Sequence, residues 1–235
     1  QLPTGRPVTS RELADNGISA DLAVHYVRAG WLRRLARGVF TRPDAQLQRD
    51  PSLLLLQDMV SGLHVGGKSA LDWHGVRHYV SGEPRLHLYG LESAKLPSWF
   101  TAVFPAEYHR KRLFQSDSTG MRHVGPFGGR DDGPNVSAPE RAFLELLSEV
   151  GVRQPLAEAR ELAESTYAFR PTVLRDLLKD CVNVKTVRLC VQLGRDLSLP
   201  WSKKLDPLEL PGGSDRPWVG RTKEGLLVLK KVDGV

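Results

Sequence analysis

Between Ile18 and Pro43 the chain reads ISADLAVHYVRAGWLRRLARGVFTRP, a short amphipathic stretch that runs into arginine-rich, strand-forming sequence. Ser19 is placed to cap a helix, Gly30 to stop it, and Ala36-Arg37-Gly38 to turn a hairpin. On a helical wheel Ile18, Leu22, Ala23, Tyr26, Val27 and Ala29 form one apolar arc, which leaves Asp21, Val24, His25 and Arg28 on the other side. Trp31 and Leu32 are expected to pin the helix end to the core. Upstream, Thr9 or Ser10 followed by Glu12 offers an N-cap and a first-turn acid for a preceding short helix, closed by Asn16-Gly17. Helix, turn, helix and hairpin in this order predict a winged helix-turn-helix.

Charge follows the same segment. Arg28, Arg33, Arg34, Arg37 and Arg42 fall between positions 28 and 42 with no acidic residue among them, in a chain of formal net charge +6. A cationic front of this kind suits a polyanion: the helix would read base edges in the major groove while wing arginines neutralise phosphates. Pattern alone leaves a second reading open, in which a small helical module with a hairpin binds protein and its arginines only solvate a strand. Further along, residues 131–165 are acidic and 166–204 basic, which suggests separate faces for separate partners.

With 235 residues, 40% apolar and 26% charged, the chain has room for two domains and a sizeable core. No apolar run approaches the roughly 18 residues of a membrane span, and QLPTGRPV has no signal-peptide core. Cys181 and Cys190 on a single helix would lie roughly 13 Å apart on opposite faces. They read as buried thiols of a reducing compartment, and the protein as cytoplasmic with no membrane partner.

After the hairpin, residues 51–84 look helical, with Leu53–Val60 and Ser69–His74 as the clearest pieces. From Arg85 the pattern turns strand-like through RLHLYG, TAVFPAEY and KRLFQ, predicting a small sheet over about 85–115. The stretch GPFGGRDDGPNVS at 125–137 is a boundary candidate or loop. Helices follow over about 138–150, 155–165, 171–181 and 184–197, and the tail ends in a strand-like GLLVLKKV. The fold class is therefore α+β, with a winged helix-turn-helix over 1–48 and a mixed α/β and helical region over 49–235.

Several motifs compete for a chemical role. Gly62-Leu63-His64-Val65-Gly66-Gly67-Lys68-Ser69 satisfies the phosphate-loop expression, which would make the chain a nucleotide-binding enzyme. The preceding LLLLQDMVS carries Gln57 and Asp58 where a buried strand should be apolar, and no later strand ends in a metal-binding acid. Gly66-Gly67 reads better as a turn, with Lys68-Ser69 opening a helix. His74 and His78 have the spacing of a helical metal pair, but Gly75 lies between them and no acid follows the first. They read as exposed or hydrogen-bonded histidines. His109-Arg110-Lys111-Arg112 reads as an edge-protecting cationic strand. Glu140, Glu145 and Glu149 look like ordinary surface charge on a helix. No catalytic residues, metal site or cofactor are expected.

AGWLRRLARGVFTRP, HVGGKSALDWHGVRHYV, LPSWF, SAPERAFLELL and VKTVRLCVQL occur in this order and together resemble the AbiEi-type antitoxins of type IV toxin–antitoxin systems, over about residues 9–205. The resemblance implies a bacterial, non-enzymatic protein whose winged helix-turn-helix represses its own operon at inverted repeats in double-stranded DNA. The remaining chain would counteract a cognate nucleotidyltransferase toxin, although relatives without a linked toxin imply a stand-alone regulator as the alternative. Mapped by position, the DNA-facing residues are Ser10, Arg11, Ser19, Ala20, His25, Arg28, Arg33, Arg34, Arg37 and Arg42. The last thirty residues fit the family pattern poorly.

Overall fold

The structure is a computed structural model that describes residues 5–76, 85–123, 133–222 and 225–231. Its N-terminal module opens on β1 (Val8–Thr9), whose last residue caps α1 (Ser10–Asp15). The Thr9 hydroxyl accepts the Glu12 amide at 3.1 Å while the Glu12 carboxylate accepts the Thr9 amide at 2.7 Å, a reciprocal capping box. Asn16 ends α1, and Ser19 caps α2 (Ala20–Arg28). Gly30, at φ 76°, takes the left-handed conformation that stops α2. The wing is β2 (Arg33–Ala36) and β3 (Val39–Thr41), turned at Gly38, and the three strands pair antiparallel in the order β1-β3-β2.

Val8, Leu13, Ala23, Leu32 and Phe40 form a small core of their own under these elements, with Ile18, Tyr26 and Val27 packed on it. Two expectations fail here. Trp31 is 63% exposed and only leans on the Tyr26 ring at 5.2 Å, and Ala29 is exposed too. The chain is already extended after Gly30, so neighbouring side chains point to opposite sides, and Leu32 takes the inward place that leaves Trp31 outside.

The larger body starts with α3 (Arg49–Met59), which turns Leu53, Leu55 and Leu56 inward. β4 (His64–Val65), α4 (Gly67–Trp73), β5 (Leu86–Gly90), the short α5 (Ser98–Thr101), β6 (Ala106–Arg110), β7 (Met121–His123) and β8 (Asn135–Ser137) follow. They build a five-stranded sheet ordered β6-β5-β4-β8-β7, parallel at β5/β6 and β4/β8 and antiparallel elsewhere. The sheet is thus wider than the predicted 85–115 span: β4 lies in a region read as helical, and β7 and β8 lie beyond it. Strands of two or three residues are too short to show a period. KRLFQ, by contrast, forms no strand, and only Phe114 bridges to Cys181. Most of the boundary candidate, up to residue 132, lies outside the described residues; its end is β8. Gln57 of α3 bonds both the amide and the carbonyl of Asn135, at 2.9 and 3.0 Å, and so ties that helix to β8.

Helices α6 (Pro139–Glu149), α7 (Leu156–Glu164), α8 (Pro171–Asp180) and α9 (Val184–Asp196) match the predicted spans closely. Every residue from Glu140 to Glu149 is buried, so α6 runs through the interior with the sheet on one side and helices on others. Cys181 caps α8 and Cys190 sits within α9, both buried and free. Burial pushes the Cys181 thiol up to about 11 and the Cys190 thiol higher still. The tail is not loose: β9 (Trp218–Thr222) and β10 (Gly225–Leu229) pair as a hairpin that buries Leu227 and Leu229. Arg188 of α9 holds it by donating to the carbonyls of Gly212, Ser214, Arg216 and Leu229. Among the described residues no helix is long and apolar enough to cross a membrane.

Candidate nucleic-acid interface

All ten residues mapped as DNA-facing are exposed. The fold brings half of them to one place. Ser10 of α1, Ala20 and Arg28 of α2, and Arg34 and Arg37 of the wing line a hollow of about 520 Å³ with a mostly apolar floor and no acidic lining residue. Val24, 47% exposed, lines it as well; the helical wheel placed this residue on the outer face, but the site assignment left it out. Arg11, Ser19, His25, Arg33 and Arg42 lie outside the hollow. For Ser19 the reason is its cap: the hydroxyl accepts the Leu22 amide at 3.2 Å. For Arg33 it is strand alternation, because Arg33 and Arg34 are consecutive on β2 and face opposite ways. Arg34 is steadied by a bond from its Nε to the Ala36 carbonyl at 3.3 Å.

The phosphate-loop match has a different purpose. β4 does lead into α4, yet only Gly66 separates them, and the position a phosphate would take is filled by the protein's own carboxylate. The Gly67 amide donates to Glu145 Oε2 at 3.1 Å. A Cβ on Gly66 would lie 2.3 Å from that oxygen and 2.6 Å from the Tyr89 ring, so the glycine permits this close approach. Lys68 pairs with Glu158 at 2.6 Å, and Ser69 accepts the His87 amide at 2.8 Å and donates to the Arg85 carbonyl. Gly66, Gly67, Lys68 and Ser69 are thus engaged in holding α4 to its surroundings.

Glu140, Glu145 and Glu149, read from sequence as surface charge, are 2%, 2% and 4% exposed. The sequence marks three carboxylates on a helix but not what meets them: groups of β4 and β8 cover Glu145, Lys111 and Arg153 cover Glu149, and Arg170, just ahead of α8, covers Glu140. Glu145 accepts from His64 Nε2, Arg141 Nε and Ser137 Oγ, all at 2.9 Å, as well as from Gly67. Burial pushes its carboxyl upward, and the opposing charges and hydrogen bonds of His64 and Arg141 outweigh that and hold it at about 2. Glu149 takes Lys111 and Arg153, and Glu140 takes the guanidinium of Arg170 in a fork at 2.8 Å; both are held below the usual carboxylate range against burial. Lys111 and Lys185 also donate to the Ser148 carbonyl at the end of α6, where cations complement the helix dipole. Nearby, His87 is lowered to about 4, first by burial and then by His109, itself lowered by burial. His74 bonds the Ser137 carbonyl at 2.9 Å, and His78 lies outside the described residues.

A pH dependence follows. Glu145 binds its proton far more weakly folded, at about 2, than at its ordinary 4.5, so its stabilising contribution is complete above the higher value and disappears as pH falls through the lower. Glu140 and Glu149 act in the same direction. The urea midpoint is expected to drop steeply as pH falls from 4.5 towards 2; an unchanged midpoint across that window would contradict the buried-carboxylate assignment.

A winged helix-turn-helix with an arginine-rimmed hollow, joined to a larger α+β body, defines the class as a helix-turn-helix protein with a second, larger region. The family model of the "Transcriptional regulator, AbiEi antitoxin N-terminal domain" matches residues 1–82, and that of the "Transcriptional regulator, AbiEi antitoxin, Type IV TA system" matches residues 83–232. The chain belongs to the AbiEi antitoxin family of type IV toxin–antitoxin systems. Among solved structures, the RV2827C protein from Mycobacterium tuberculosis shares its fold at a TM-score of 0.55 and 16% identity, over 92% of this chain and 84% of that one. No curated protein matches the chain.

Proposed function

We propose that the chain is an autorepressing antitoxin: residues 1–48 bind inverted repeats in its own promoter, and the body over 49–235 counteracts a cognate nucleotidyltransferase toxin. The observation that carries the DNA half is the acid-free hollow in which Arg28 of α2 meets Arg34 and Arg37 of the wing. Two elements that are separate in sequence point charge at one concave surface, and a duplex offers phosphates on both sides of the groove that α2 would enter. The separate small core under these elements supports treating them as a module. The remaining mapped residues, Arg11, Ser19, His25, Arg33 and Arg42, are assigned to flanking backbone contacts.

Fluorescence anisotropy of the full chain against its upstream DNA tests this reading. Affinity should fall linearly with salt on logarithmic axes, with a slope of about −0.9 per phosphate contacted. Arg28→Ala should reduce the preference for promoter over random DNA by about 1–3 kcal/mol. Equal binding to both sequences by the unaltered protein would remove the operator assignment. For the antitoxin half, co-expression with a cognate nucleotidyltransferase toxin should restore growth, and continued toxicity in its presence would count against it.

A further inference from the structure

Beside the α6 network lies a cluster that the DNA and antitoxin readings leave unused. Parallel pairing sets Glu107 of β6 opposite His87 of β5, and His109 opposite Tyr89. Since alternate residues share a face, His87, Tyr89, Glu107 and His109 all stand on one side of the sheet. His87 Nδ1 is 3.1 Å from His109 Nε2, and with the Glu107 carboxylate the three donor atoms lie within 4.8 Å of one another. Two imidazoles bound to one zinc ion at 2.0–2.1 Å have their nitrogens about 3.3 Å apart. Tyr89 stacks on His109 at 4.7 Å and fixes its plane.

The other nitrogen of His109 is the second observation. Nδ1 is buried with no hydrogen-bond partner among the described residues, and the nearest carboxylate, Glu149 Oε2, stands 3.9 Å away. A buried ring nitrogen left in this way is costly. Ligation through Nε2 would fix the proton on Nδ1 and aim it at Glu149, the carboxylate–histidine–metal arrangement that orients metal-bound imidazoles. Arg153 bridges Glu107 and Glu149, both at 3.1 Å, and so holds both carboxylates beside the rings. The cluster is reachable, because β6 is an edge strand and His87 and Glu107 are only half-buried.

We propose that His87, Glu107 and His109 form a binding site for a divalent transition-metal ion of the zinc class, with Glu149 positioning His109 from behind. Two imidazoles and one carboxylate favour zinc or its transition-metal neighbours over magnesium or calcium, whose sites are built from oxygen. The ion would clamp β6 to β5 and leave one coordination position to solvent.

The full chain, purified without a histidine tag and stripped with EDTA, should take up about one equivalent of Zn²⁺ or Co²⁺. Co²⁺ should give the visible absorption of a low-coordinate nitrogen–oxygen site, and either ion should raise Tm. His87→Asn is expected to abolish the absorption and the Tm rise, and Glu107→Gln, on a half-exposed side chain, to weaken Co²⁺ binding at least tenfold. Absence of both signals in the unaltered protein would overturn the site. So would undiminished Co²⁺ absorption in Glu107→Gln and His87→Asn, which would place the ion at other histidines such as His25 or His123.

Discussion

Glu145→Gln is expected to destabilise the protein by about 3–5 kcal/mol, the cost of removing one partner from a buried charge cluster. The carboxylate is 2% exposed and is surrounded by His64, Arg141, Ser137 and the Gly67 amide. An amide of nearly the same shape keeps the packing, but it presents an NH₂ to groups that are themselves donors and removes the charge opposite Arg141. Domains are stable by only about 5–15 kcal/mol, so one such change consumes much of the margin. Urea denaturation followed by circular dichroism measures it. Glu164→Gln, on an exposed face of α7, serves as the control and should shift stability by no more than about 0.5 kcal/mol. Equal effects from the two substitutions would mean that the cluster contributes no more than surface charge.

The second large effect concerns DNA. Arg34→Ala combined with Arg37→Ala should lower affinity for promoter and random DNA alike, by about ten- to a hundred-fold per arginine if each makes a charge-assisted hydrogen bond of about 1.5–3 kcal/mol. The salt slope should become shallower by about two, one for each phosphate that is no longer neutralised. Both side chains are exposed, so the thermal midpoint should stay near that of the unaltered protein. An unchanged slope would show that the wing does not face the backbone. Loss of promoter binding with random-sequence binding intact would instead give these arginines a base-reading role.

The contrast between these two regions explains what was legible in the chain. Thr9, Glu12, Ser19, Gly30 and Gly38 act within a few residues of themselves, through caps and left-handed turns, and so α1, α2 and the wing could be placed from local order. The long helices α6 to α9 carry enough turns to show their period, and two of the phrases that resemble the antitoxin family coincide with buried elements: LPSWF supplies buried Trp99 and Phe100, and VKTVRLCVQL lies in α9. The glutamates of α6 read as surface charge because a carboxylate in a helical sequence looks the same whether water or a buried cation meets it.

Local periodicity and capping chemistry were thus sufficient for the winged module, the helical segments and the cationic stretch, since each depends on neighbours along the chain. Tertiary structure alone decided the fate of Glu145, the use of Gly66 and Gly67, the exposure of Trp31 and the meeting of His87 with His109. These depend on strand register and on which surfaces pack together, and pairings between residues 22 to 81 positions apart leave no periodic trace in the sequence.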